Sequence, residues 1–257
     1  MSMSVMALAS CVSVAGMRLS GEMDEKVFKV DTGYSVLEVS GSVDILYSAE
    51  ADNVVVTADS KVLPCVCVED DKGVLKIYVQ RKDRKFWRGN QGKVYVVVPA
   101  SSSIGKIDIS GASDFESDAV ITARSLDVKV SGASDFIADM EVESSLEMSV
   151  SGASDVRSSV SACGLTVDAG GASDVVLSGR ADRFSASVSG ASSLSSGKAY
   201  VETETFSCSV SGASECYVKC NGTAEGKASG ASTVVMYGDG KSRISSSGAS
   251  SVHYRQE

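Results

Sequence analysis

The pentapeptide SGASD stands at residues 110–114, 131–135 and 151–155, and close variants follow at 170–174 (GGASD), 189–193 (SGASS), 211–215 (SGASE), 229–233 (SGAST) and 247–251 (SGASS). The glycines of these eight copies, Gly111, Gly132, Gly152, Gly171, Gly190, Gly212, Gly230 and Gly248, are separated by 21, 20, 19, 19, 22, 18 and 18 residues. So short and regular a period constrains the fold strongly. Each unit is too small to bury its own apolar side, so successive units must stack on one another.

The residues ahead of each glycine alternate. LDVKVSGASDF from Leu126, LEMSVSGASDV from Leu146 and FSASVSGASSL from Phe184 carry apolar side chains at every second position, the period of a strand with one buried face. Ser, Gly, Val, Thr and Asp are poor or indifferent helix formers, and no 3.6-residue period is present. The expected fold is all-β. It is a right-handed parallel β-helix, or β-solenoid, of about 20 residues per turn, whose two or three short strands pair in parallel about 4.8 Å from those of the next turn. Glycine permits the bend between faces, and stacked serine hydroxyls can donate to one neighbour and accept from the other. Two orientations fit the pattern. Unbroken alternation turns Ser134 and its equivalents inward and Ala133 outward, whereas a turn at the glycine reverses them.

Asp114, Asp135, Asp155 and Asp174 follow the pentapeptide core in four consecutive turns, and later turns carry Ser193, Glu215, Thr233 and Ser251 at that place. Like charges at strand spacing repel unless screened. The ladder is therefore either a strip for a cation or a carbohydrate, or an acidic corner whose carboxylates accept nearby backbone amides. Ser and Thr replace Asp well in turns and poorly as metal ligands, which favours the corner. No metal site and no cofactor is expected.

Residues 101–257 form the regular repeat and residues 23–100 a more irregular N-terminal β section, in which SGSVDILY (40–47) looks like a degenerate copy. VVVTADS, GVLKIYVQ and KVYVVVP read as strands. Between the last two, RKDRKFWRGNQG (81–92) gathers Arg81, Lys82, Arg84, Lys85, Arg88 and the only tryptophan, Trp87, into a loop. Trp87 with Arg84, Lys85 and Arg88 is a candidate binding site for an anionic glycan or protein, since aromatic faces and guanidinium forks are common recognition elements. The alternative is a cap, with Phe86 and Trp87 folded over the end of the solenoid.

Residues 1–22 read as a leader and linker. VMALASC (5–11) resembles the segment that precedes the acylated cysteine of bacterial lipoproteins, which makes Cys11 the candidate lipid anchor, although no Lys or Arg precedes it. The other cysteines have irregular spacings, and Cys65 and Cys67 share one side of a strand and cannot bridge. They are expected to act as small buried hydrophobes. No run of 18 apolar residues occurs, so no helix spans a membrane. The expected location is exported, in the cell envelope, with a lipid anchor as the only membrane contact. A net charge of −9 removes the clustered positive charge that nucleic-acid binding requires.

FKVDTGYSVLEVSGSVDILYSAEADNVVVTAD, followed by GVLKIYV, KVYVVVPASSSIGKIDISGASDF and the serial SGAS turns, resembles the auto-transporter adhesin head GIN domain family over residues 23–254. The resemblance implies a right-handed parallel β-helix in bacterial envelope proteins of the Bacteroidetes kind, often behind a lipoprotein or secretion signal, and it brings no catalytic residues. The residues themselves agree on the last point. His253 is the sole histidine, too little for Ser-His-Asp, Cys-His or His-rich zinc arrangements. VMYGDGKS (235–242) has Val235 where a phosphate loop needs its first glycine. The expected function is a non-enzymatic binding or adhesion module that presents polar ladders to a glycan or a cell-surface protein. The alternative is a polysaccharide lyase or hydrolase, which needs carboxylates in one singular constellation rather than a regular ladder. Solenoid ends expose unpaired strand edges, and the polar SSVHYRQE terminus is a poor lid, so a dimer or trimer formed through that end is expected.

Overall fold

A computed structural model describes residues 19–80, 92–195 and 200–255. In the N-terminal part, β1 (Met23–Phe28), β2 (Val36–Gly41), β3 (Asp44–Ser48) and β4 (Val54–Asp59) precede a short 3-10 turn at Leu63–Cys65, followed by β5 (Val66–Asp71), β6 (Val74–Val79) and β7 (Val94–Pro99). The repeats begin with β8 (Lys106–Gly111), β9 (Phe115–Ser117), β10 (Ile121–Val130), β11 (Asp135–Ile137), β12 (Met140–Val150), β13 (Asp155–Ala169) and β14 (Asp174–Val188). They continue with β15 (Ser193–Leu194), β16 (Val201–Val210), β17 (Glu215–Ala228), β18 (Thr233–Tyr237), β19 (Lys241–Ser246) and β20 (Ser251–Arg255).

Successive turns pair in parallel and in register, as the period requires. Val130 lies beside Val150, Val150 beside Ala169, and Ala169 beside Val188. Each turn has three sides. In the turn after Gly132, face B is Asp135–Ile137, face C begins at Met140, and face A ends at Val150. The corner between C and A is made by a register shift between Val142 and Ser145, since a bulge turns a strand without breaking its ladder. Alternate residues fill the prism. Leu126, Val128 and Val130 lie under Leu146, Met148 and Val150, all buried. Phe115 and Phe136 stack with centroids 4.8 Å apart, and Phe184 packs against Phe206 at 5.3 Å.

The SGAS corner joins A to B. All eight repeat glycines have positive φ, from 97° at Gly111 to 74° at Gly248, a region costly to any residue with a Cβ. Close approach is a second reason for glycine. A Cβ on Gly152 would lie 2.3 Å from the carbonyl oxygen of Gly132 in the preceding turn. Of the two orientations the alternation allowed, the structure takes the unbroken one: Ser113, Ser134, Ser154, Ser173, Ser192, Ser214 and Ser232 are buried, and Ala133 is exposed. Their hydroxyls do not form a simple hydroxyl-to-hydroxyl ladder. Ser134 Oγ donates to the Ser131 carbonyl of its own turn (3.1 Å) and accepts the Ser113 backbone N–H of the turn before (3.2 Å). Ser154 and Ser192 likewise accept the backbone N–H of Ser134 and Ser173, tying neighbouring corners together.

β2 and β3 form a regular rung directly before β8 and β9, with Gly41 beside Gly111, so SGSVD (40–44) is a further copy of the corner. On the other side of that rung lie β6 and β7, between which the sequence carries no copy of the SGAS corner. Beyond them the direction reverses. β4 pairs antiparallel with β7, β1 with β4, and β5 with β6. Burial would raise the pKa of Asp59 at the end of β4, but the N–H groups of Lys61 and Gly21 and the Ser20 hydroxyl hold it below the usual carboxylate range.

Among the described residues no two cysteines form a disulfide. Cys65, Cys208, Cys216 and Cys220 are buried as expected, and burial pushes the Cys208 thiol up to about 11. Cys163 departs from the expectation, being exposed on β13.

Candidate functional site

Outward-facing residues of face B form two parallel rows. In the first, Asp135, Asp155 and Asp174 are direct register partners, and Ser193, Glu215, Thr233 and Ser251 continue the row in later turns. Asp114 stands beside Asp135, because Phe115 pairs with Phe136. The row also begins one turn earlier than the repeat count suggested. Ile45 pairs with Phe115, which puts Asp44 beside Asp114, and Tyr95 of the preceding rung is the register partner of Asp44. The signal for Asp44 was present in the degenerate copy SGSVD.

The second row runs Val97, Leu46, Glu116, Ile137 and Arg157. Leu46, Tyr95 and Ile137 are exposed apolar side chains, and with Asp44, Asp114 and Asp135 they line a groove of about 460 Å³. The groove pairs an apolar floor with a carboxylate rail. Lys93 contacts two of the lining residues, with Nζ 3.8 Å from Asp44 and 5.6 Å from the centre of the Tyr95 ring. The floor was not singled out from the sequence, because an apolar residue at one outward strand position is common and only the stacking makes a surface of it.

Electrostatics follow from the stacking. Partial burial, then the charges of Asp114 and Asp155, raise the pKa of Asp135. Burial and Asp114 raise that of Asp44 against the opposing pull of Lys93. None of the four sequence-predicted aspartates hydrogen-bonds a backbone amide among the described residues; the N–H groups of Asp155 and Asp174 are themselves donated to the carbonyls of Ser134 and Ser154. Among the described residues no three His, Cys, Asp or Glu groups converge to hold a metal ion. A carboxyl group whose folded pKa is raised binds more protons folded than unfolded, so it stabilises the fold less as pH rises through that interval. Asp135→Asn is therefore expected to raise the melting temperature at pH 7 and to lose this advantage toward pH 4. Melts of both proteins across that range check it, and a variant less stable at pH 7 refutes the repulsion.

Trp87, Arg84, Lys85 and Arg88 lie outside the described residues, as does Cys11. The ends of the Trp87 segment are placed, however. β6 ends at Val79 on face A and β7 begins at Val94 on face B.

A protein-family comparison matches residues 33–159 and 143–240 to the family described as "Putative auto-transporter adhesin, head GIN domain". No curated protein sequence matches the chain. Among solved structures, a "putative adhesin" from Parabacteroides distasonis ATCC 8503 superposes with a TM-score of 0.77 at 20% identity, covering 92% of this chain and 98% of its own. A "putative adhesin" from Parabacteroides merdae ATCC 43184 gives 0.78 at 16% identity, covering 94% and 100%. A "putative lipid binding protein" from P. distasonis gives 0.73 at 18% identity, covering 92% and 98%. At these identities the structures establish a shared fold over nearly the whole length. The two family matches together span residues 33–240, and the chain belongs to the auto-transporter adhesin head GIN domain family.

Proposed function

We propose that the chain is a non-enzymatic binding module of the cell envelope that holds a glycan along the outer surface of face B. The groove between the aspartate rail and the Leu46, Tyr95 and Ile137 floor carries this reading. Carboxylates accept hydrogen bonds from sugar hydroxyls, and an exposed aromatic ring offers an apolar face to a pyranose. The rungs are stacked in register, so a linear polymer lying along face B meets a carboxylate at each of the rungs of Asp44, Asp114 and Asp135. The family's adhesin description supports a binding role in general. Trp87, Arg84, Lys85 and Arg88 extend the proposed site, since they precede Lys93 and Tyr95 by only a few residues in the sequence.

The purified chain, presented with a panel of bacterial and host polysaccharides, is expected to retain at least one of them without releasing products. Tyr95→Ala should weaken retention roughly tenfold, the loss of one aromatic contact, and Trp87→Ala tests the loop in the same way. Unchanged retention by Tyr95→Ala moves the site off the groove. Products that accumulate with time overturn the non-enzymatic reading.

A further inference from the structure

The two ends of the prism differ in construction and in charge. At the N-terminal end the outermost strands are β5 on face A and β1 on face B. At the C-terminal end they are β19 on face A and β20 on face B. Among the described residues no strand pairs with the outer edge of any of the four. β1 and β5 carry Asp24, Glu25, Glu69, Asp70 and Asp71 against the single Lys26, five acidic groups to one basic. β19 and β20 carry Lys241, Arg243 and Arg255 and no acidic residue. One end is acidic and the other basic.

The strand directions also match. β1 is antiparallel to β4, which is antiparallel to β7, which is parallel to β3. β1 therefore runs in the same sense as the solenoid strands of face B, including β20. If the basic end of one molecule is set coaxially on the acidic end of another, β20 meets β1 in the parallel sense the ladder already has. β1 stands one strand farther out than β5, so β19 stops about one strand spacing, 4.8 Å, short of the next β5, a gap that long basic side chains can span. Arg243 on β19 and Asp71 on β5 both lie on the outer side of face A, and Arg255 and Glu25 both lie on the outer side of face B.

The basic end is finished in a way that leaves it coverable. Ile244 and Val252 are only partly buried against the core, and Tyr254, 56% exposed, crosses the opening to donate its hydroxyl to Ser242 Oγ at 2.9 Å. No charged side chain points inward there, the device that usually protects a strand edge. β1 does have it. Asp24 and Lys26 pair with the inward positions Ala58 and Val56, which keeps an apolar strand from burying itself deeply and leaves backbone pairing and charge to hold the contact.

From these observations we infer that the chain associates with further copies of itself head to tail, the basic β19 and β20 end of one copy docking on the acidic β5 and β1 end of the next. Two basic ends repel, so a closed tail-to-tail dimer is disfavoured. A contact between unlike surfaces that does not close on itself propagates, and the product is an open chain of coaxial prisms rather than the dimer or trimer expected from the sequence.

Sedimentation velocity on the full chain over a range of concentrations tests this, at about 20 mM and about 0.5 M salt, where the screening length shrinks several-fold. Species should grow past the dimer with concentration at low salt, and the concentration at which they appear should rise roughly tenfold at high salt. Arg243→Glu with Arg255→Glu should abolish growth, as should Glu25→Lys with Asp71→Lys in a second protein. Mixing the two variants should restore it, because each reversed end then meets its complement. All four positions are at the surface, and circular dichroism confirms folding. A monomer at every concentration, a species that stops at two, or a mixture that does not reassemble overturns the inference.

Discussion

Gly152→Ala is expected to be among the most damaging single-methyl changes in the repeat. Gly152 has φ of 89°, and its new Cβ would lie 2.3 Å from the Gly132 carbonyl oxygen and 2.9 Å from the Gly132 nitrogen. A left-handed alanine alone costs about 1–2 kcal/mol. The clash adds to this, because both atoms are backbone and are held by the ladder on either side. The total should reach roughly 4 kcal/mol, in the range reserved for a few structural mechanisms. Gly21 separates the two contributions. Its φ is 80°, but a Cβ there meets nothing within 4 Å, so Gly21→Ala should cost only about 1 kcal/mol. Urea unfolding of both variants measures the difference. Equal losses would mean that the glycine column is explained by backbone conformation alone and that the stacked corners can spread.

Phe136→Ala should cost about 3–5 kcal/mol, the usual range for deleting a buried aromatic ring. Phe136 is fully buried, and its ring lies nearly parallel to that of Phe115, with 6° between planes. It sits on a face only three residues wide, so few neighbours can move in to fill the space. The adjacent Ile137 points outward from the same strand and is exposed, and Ile137→Ala should change stability by no more than about 0.5 kcal/mol. A large effect at 137 and a small one at 136, read from the same unfolding experiment, would reverse the assigned sides of face B. A double-mutant cycle with Phe115→Ala should show coupling of about 1 kcal/mol.

The turn was legible because its causes are local. Alternation in LDVKV and LEMSV set the buried face, and the 20-residue spacing set the stack. The inward serines were not legible, since alternation and a corner reversal assign Ser134 to opposite sides; the hydrogen bond to the Ser131 carbonyl three residues back gives a buried hydroxyl a partner and makes the inward choice tolerable. The third side of the turn that contains β12 carries a register shift near Val142, which no residue type announces. Asp44 was legible only through the degenerate copy SGSVD, because 70 residues separate it from Asp114 in the chain and the antiparallel cap between them carries no repeat. The ladder of aspartates could be listed from the sequence, but the apolar groove beside it arises from Tyr95, Leu46 and Ile137, which come from three different rungs.

The position of the β2 and β3 rung has a consequence for synthesis. Its neighbours on one side, β6 and β7, emerge from the ribosome before its neighbours on the other, β8 and β9. The chain therefore builds outward from this rung, reverses direction to finish the cap, and then returns to the vacant edge of β2 and β3. The edge of β2 and β3 then receives β8 and β9, and later turns add to that side. Growth is vectorial from that moment, each turn being cast against the one just completed. Long-range parallel pairing is slow to nucleate and prone to errors of register, and a finished rung on which the next turn is laid confines that search.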